Sequence, residues 1–203
     1  MKMDREIRAL KGVEVRAADD GSDPVIDGYA SVTDVWYDVA GGPERGGWRE
    51  QIAAGAFDKT LDEQLDAMFM LLDHDGMPIA GTRNGSLVLE ADGHGLRAEA
   101  TPDMASQFNN EVVTRLRSGL LDAMSFAFAA EKNEWNSDFT ERRISEVRLF
   151  EVSVVKWPAN PATVVQMRQA VAELRSTVKP RHSAGMPLAT AKALAFNLSR
   201  AAR

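Results

Sequence analysis

Met124-Ser125-Phe126-Ala127-Phe128 alternates bulky apolar side chains with small ones, and Ala129 continues the pattern. A period of two is the signature of a β-strand with two different faces, so Ser125 points away from Met124, Phe126 and Phe128. Downstream, Leu149-Phe150-Glu151-Val152-Ser153-Val154-Val155 has the same character. Phe150, Val152 and Val154 share one face, Glu151 and Ser153 share the other, and Pro158 and Pro161 stop the strand. Between the two stretches, Asn136-Ser137-Asp138 reads as a turn and Thr140 to Val147 as further strand.

Toward the N-terminus, Ile7, Ala9, Val13 and Val15 suggest a first strand with irregular alternation. The turn formers Asp19 to Pro24 then lead into a hairpin partner over Val25 to Val32. Asp34 to Arg49 carries Gly41, Gly42, Gly46 and Gly47 among Trp36, Tyr37 and Trp48. It reads as a long mobile loop, either a lid over substrate or a surface loop packed by its own rings. No lysine follows these glycines in the phosphate-binding spacing. Ala56 to Gln64 is a short helix candidate. Met68 to Leu72 is an apolar run of strand length that leaves His74 just past its end. Ser86 to Glu90 and Gly95 to Thr101 form a predicted hairpin around Asp92-Gly93-His94. Ser106 to Leu116 has Phe108, Val112, Val113 and Leu116 at helical spacing, with Gly119 beyond. Val164 to Ser176 and a segment with Leu188, Ala191, Ala195 and Leu198 are also predicted helical. The sum is a mainly β chain with flanking helices (α+β), its sheet mostly antiparallel.

The 203 residues, 44% of them hydrophobic, suit one domain with a real core. A domain over 1–177 and a C-terminal tail over 178–203 are expected, because Lys179, Arg181, Lys192, Arg200 and Arg203 are accompanied there by no acid. A basic tail on an acidic body suggests a segment that docks or is removed. The net charge of −6 argues against nucleic acid as the main partner. No cysteine is present, which excludes thiol catalysis, disulfides and thiolate zinc sites. The charged Met1 to Glu6 leads into no signal-like apolar run, and no stretch has the length of a membrane span.

Three residues carry candidate chemistry. A serine hydroxyl attacks only if a base takes its proton, and His74 is the best base available, since His94 sits in a hairpin turn and His182 in the basic tail. On the residues alone, His74 also reads as an ordinary strand-end histidine, and Ser125 as a small residue hydrogen-bonded within a sheet. Glu151 is a charge inside an apolar strand, costly to bury unless paired. It is read either as the carboxylate that orients the imidazole or as an ion-pair partner of Arg142, Arg143 or Arg148. Asp73 and Asp75 flank His74, but adjacent ligands on a regular strand cannot face one metal ion.

These segments occur in an order that resembles the tailed-phage prohead serine proteases, distant relatives of herpesvirus assemblin. The resemblance runs from about Gly28 to Thr163. It includes Gly46-Gly47-Trp48-Arg49-Glu50-Gln51-Ile52 with Gly55-Ala56-Phe57-Asp58, Leu72-Asp73-His74-Asp75, and Gly81-Thr82-Arg83 with Ser86-Leu87. Asp92-Gly93-His94-Gly95-Leu96, the Ser125 strand and the Glu151 strand ending at Pro158-Ala159-Asn160-Pro161 complete it. The family usually has glycine two residues after the nucleophile, where this chain has Ala127. The resemblance implies a closed antiparallel β-barrel of the herpesvirus-protease type and a serine endopeptidase with His74, Ser125 and Glu151 as its catalytic residues. It implies no metal and no cofactor. The expected substrates are the major capsid protein with its scaffold segment and the protease itself, with the portal protein as a further partner. Self-association as a dimer or higher, no membrane, and a location inside the prohead in the bacterial cytoplasm are also implied. The alternative is a catalytically weak or inactive assembly protein that keeps the fold.

Overall fold

The computed structural model describes residues 5–11, 14–16, 23–64 and 67–156. The two predicted C-terminal helices, the basic tail and the proline stop at Pro158 and Pro161 lie outside them. Among the described residues the strands are β1 (Glu6–Lys11), β2 (Glu14–Arg16), β3 (Val25–Val32), β4 (Tyr37–Val39), β5 (Trp48–Ile52), β6 (Phe69–Leu72), β7 (Asp75–Gly81), β8 (Leu87–Ala91), β9 (Gly95–Ala100), β10 (Ala123–Trp135) and β11 (Glu141–Val155). Helices α1 (Asp58–Gln64) and α2 (Gln107–Arg117) and a 3-10 turn at Pro43–Arg45 complete the set. The chain is mainly β, with no described helix long and apolar enough to cross a membrane.

Hydrogen bonding orders one sheet β1-β10-β11-β5-β4, with β6 on β11 and β7 on β6, and a second sheet β2-β3-β9-β8. Neither closes on itself among the described residues, and β6 pairs with β11 in parallel. Among the described residues the strands thus form two open sheets, one of them mixed, where a closed antiparallel barrel was expected. Strand alternation predicts that strands exist, but closure depends on which edges meet, and that information is absent from local pattern. The irregular first strand resolves for the same reason into two, β1 in one sheet and β2 in the other.

The described chain forms two compact units. One takes residues up to Val35, Ile52–Lys132 and the chain from Ile144 onward. Its core includes Phe126 stacked on Phe128 with ring centres 4.8 Å apart, and Phe57 edge-on to Phe126 at 5.6 Å. Met70 and Val152, register partners across the parallel β6–β11 pair, are both fully buried. Burying each such side chain contributes roughly 1.5–3 kcal/mol. Helix α1 and the turn before it are tied to β11 by Val147 N–H donating to Ala56 O and by Leu149 N–H donating to Thr60 Oγ1, each at 3.0 Å. Helix α2 buries Val112, Val113 and Leu116 as the spacing predicts, but Asn109 is buried where Phe108 was expected. Its end is closed by Gly119 at φ 73°, with Gly119 N–H on Leu116 O and Leu120 N–H on Arg115 O.

Buried positions along β11 run Ile144, then Val147, Leu149 and Glu151, so one extra residue shifts the alternation. This shift is why one continuous strand reads as two from its sequence.

The other unit is drawn from Trp36–Gln51 and Asn133–Arg143. The expected mobile loop is instead an antiparallel pair, β4 with β5. Glu50 has no exposed surface and accepts from Tyr37 Oη at 2.8 Å, Arg142 Nη1 at 3.1 Å and Trp48 Nε1 at 3.3 Å. Trp48 packs on Trp135 with centres 5.7 Å apart. Of the glycines that suggested mobility, Gly47 serves close approach, since a Cβ there would lie 2.1 Å from Val39 O.

Candidate active site

Strands β6 and β7 are joined by only two residues, Asp73 and His74, because Leu72 pairs directly with Asp75. Both linking residues have positive φ, 51° and 65°, as a two-residue hairpin turn of the I′ kind requires. Asp and His tolerate this left-handed region better than most side chains. The turn is fastened to β11 by Asp73, whose N–H donates to Val154 O at 2.9 Å. Its carboxylate accepts from Lys156 N–H at 3.1 Å and pairs with Lys156 Nζ at 2.9 Å. His74 thus projects from a short, pinned turn.

The His74 Nδ1 lies 2.6 Å from Glu151 Oε1. A carboxylate only accepts, so Nδ1 carries a proton, and Nε2 is the nitrogen free to exchange one with a substrate or nucleophile. Glu151 is 5% exposed. Its second oxygen accepts from Ser153 Oγ at 2.5 Å, and Oε1 also accepts from Arg5 Nη2 at 3.0 Å. Burial pushes the Glu151 carboxyl up, but hydrogen bonds from His74 and Ser153, the His74 charge and the Arg5 hydrogen bond outweigh it and hold the group below its ordinary value. Among the described residues the partners of Glu151 are His74, Ser153 and Arg5, and not Arg142, Arg143 or Arg148; Arg142 donates to Glu50 and Arg143 to Gln51.

Ser125 is fully buried, and its hydroxyl donates to the Arg8 carbonyl on β1 at 2.6 Å. No hydrogen bond joins it to His74 among the described residues. Its face of the sheet follows from register. Ser125 pairs with Ala9 and Phe126 with Arg8, and the Arg8 guanidinium stands over the Phe128 ring at 5.4 Å, so Arg8, Phe126 and Phe128 share one face. Ile7, Ala9, Ser125 and Ala127 take the other. Carrying the alternation one residue before β1 puts Arg5 on that second face, and it is Arg5 that reaches Glu151.

Beside the His74–Glu151 pair opens a cleft of about 480 Å³ with Phe69, Leu71 and Phe150 as its apolar wall and Arg5 at its polar side. Phe69 is 45% exposed there. Ser125 does not line it. Of the other two histidines, His94 packs edge-on to Tyr29 at 4.4 Å in the β8–β9 turn, and His182 lies outside the described residues. Among the described residues no group of three or more acidic or histidine side chains could hold a metal ion.

A hydrolytic reading of these residues is matched by sequence comparison: the caudovirus prohead serine protease family model fits residues 11–177. The chain belongs to this family. It is a prohead serine protease, which acts in capsid maturation within the prohead. The bacteriophage T4 capsid assembly protease gp21 is similar in structure, with a TM-score of 0.45 and 12% identity over 75% of this chain and 99% of that one. Comparison with curated proteins returned no match.

Two residues of this prohead protease's site were not singled out by its sequence. Ser153 could have been, since it shares the Glu151 face two residues away. Arg5 could not, because it stands 146 residues from Glu151 and no local pattern links them.

Proposed function

We propose that this prohead protease cleaves the scaffold segment of the major capsid protein, and itself, with Ser125 as nucleophile, His74 as general base and acid, and Glu151 as the orienting carboxylate. The observation that supports this most is the 2.6 Å contact of His74 Nδ1 with a buried Glu151 carboxylate that is held below its ordinary value. That arrangement fixes the imidazole tautomer and stabilises the imidazolium formed during attack.

For attack, the Ser125 hydroxyl leaves the Arg8 carbonyl by rotating about χ1 and gives its proton to His74 Nε2 as Oγ bonds to the scissile carbonyl carbon. The imidazolium then protonates the departing amine as the C–N bond breaks, which leaves an acyl-enzyme on Ser125. Water enters, loses a proton to Nε2 and releases the new carboxyl terminus, and the proton returns to Oγ. The chain over 1–177 is the protease domain on this reading, and the basic 178–203 tail docks or is cut away. The portal protein is a further partner, and the protease self-associates.

Ser125→Ala is expected to lower cleavage of scaffold-bearing capsid protein by roughly six orders of magnitude, as in triads that act as a unit. Circular dichroism checks that the variant still folds. Scaffold cleavage by folded Ser125→Ala at a rate near wild type would overturn the assignment.

A further inference from the structure

We infer that Arg5, just before the first strand, is a positioning residue of this active site, holding the Glu151 carboxylate in place and ionised so that His74 stays oriented. The inference rests on the His74–Ser125–Glu151 reading above. It also adds a part from outside the 11–177 stretch that the family model matches.

A carboxylate with 5% exposure needs its lone pairs occupied. Ser153 occupies Oε2 at 2.5 Å, while His74 at 2.6 Å and Arg5 at 3.0 Å share Oε1. Of these donors only Arg5 is a permanent cation, since the hydroxyl is neutral and the imidazole must lose its charge to act as a base. Arg5 therefore supplies the fixed charge that keeps Glu151 anionic while His74 is neutral. As a cation near the imidazole, it also opposes premature formation of the imidazolium. The same short segment of chain holds the nucleophile, because Arg8 provides the carbonyl that Ser125 Oγ meets at 2.6 Å. β1 and the residue before it thus reach two of the three proposed catalytic residues.

The other charged groups in the neighbourhood do not substitute for Arg5. On the β6–β7 turn, Asp73 is paired with Lys156, and Asp75 accepts from Gly76 N–H at 2.7 Å while lining the cleft. On β1, Arg8 lies on the opposite face and pairs with Glu6 at 2.9 Å. β11 contributes Ser153, which is uncharged.

The test uses the full chain and the rate at which a fluorophosphonate labels Ser125 across pH. For Arg5→Ala, labelling at neutral pH falls roughly threefold to tenfold, and the acid limb moves to higher pH by several tenths of a unit. Loss of the cation makes both the carboxylate and the imidazole easier to protonate, so both shifts have the same sign. Arg5→Lys restores most of the rate and of the limb. Nuclear magnetic resonance of the His74 ring, which needs no turnover, shows titration at higher pH in Arg5→Ala than in wild type. An acid limb and a His74 titration that superimpose on wild type would overturn the inference, whatever the change in stability. Failure of the underlying reading looks different: wild-type protein would then carry the label somewhere other than Ser125.

Discussion

Replacing Glu151 with glutamine separates the charge of the carboxylate from its shape. The native group receives His74 at 2.6 Å, Ser153 at 2.5 Å and Arg5 at 3.0 Å. In Glu151→Gln the amide oxygen can still accept from His74 Nδ1–H, and the amide N–H can donate to Ser153 Oγ once that hydroxyl turns. Geometry is kept, but nothing stabilises the imidazolium. The matching substitution in a chymotrypsin-type triad lowers turnover about 10⁴-fold, or roughly 5.5 kcal/mol at 1.36 kcal/mol per decade. Stability should change far less. The lost charge-assisted hydrogen bonds are worth about 1.5–3 kcal/mol each, and relief from burying a charge offsets much of that. The half-exposed Arg5 pair adds about 1 kcal/mol at most. A net change near 1 kcal/mol follows, so the protein folds and does not cut. The pH dependence has a definite sign. Because the Glu151 carboxyl is held below its ordinary value of 4.5, its stabilising contribution is present above that pH and is lost as pH falls through the lower folded value. Wild type should therefore lose Tm below about pH 4.5 more steeply than Glu151→Gln. Scaffold cleavage followed by gel, with melting by circular dichroism, reads both quantities. Turnover within tenfold of wild type in a folded variant would refute the reasoning.

Asp73→Ala puts alanine at φ 51° and removes the acceptor for Lys156 N–H. We expect about 2 kcal/mol of destabilisation by urea unfolding, one part from the left-handed backbone and one from the hydrogen bond, with turnover falling as His74 loosens. Asp73→Asn should recover most of both, and a loss under about 0.5 kcal/mol in Asp73→Ala would count against the pinned turn. Glu50→Ala removes the buried carboxylate that Arg142, Tyr37 and Trp48 meet. It should cost about 3–5 kcal/mol by the same assay, and a cost below about 1 kcal/mol would show that this network is not what orders the Trp36–Gln51 segment.

What could be read from the sequence was whatever a single element states by itself. The two-residue period at Ser125, the apolar run ending at His74, the β8–β9 hairpin and the buried stripe of α2 all depend on neighbours within a few positions. β7 escaped notice because its first four residues are exposed, with Met77 at 71%, and because Pro78 and two glycines disguise a strand. The Asp34 to Arg49 stretch reads as a loop because Trp48, and Glu50 just beyond it, find partners such as Trp135 and Arg142 far along the chain. The extra residue in β11 and the reach of Arg5 to Glu151 are likewise long-range facts. Glu151 was legible as a charge needing a partner, but the arginine that meets it is none of the nearby ones.

The central claim is that Ser125 is the nucleophile, and mass-spectrometric mapping of a fluorophosphonate adduct on the intact protein tests it most directly. Ser153 is an informative control, since its hydroxyl sits 2.5 Å from Glu151 while Ser125 is bonded to Arg8. The account predicts an adduct on Ser125 in wild type and none in His74→Ala. An adduct on Ser153, or on Ser125 at an equal rate without His74, would contradict it.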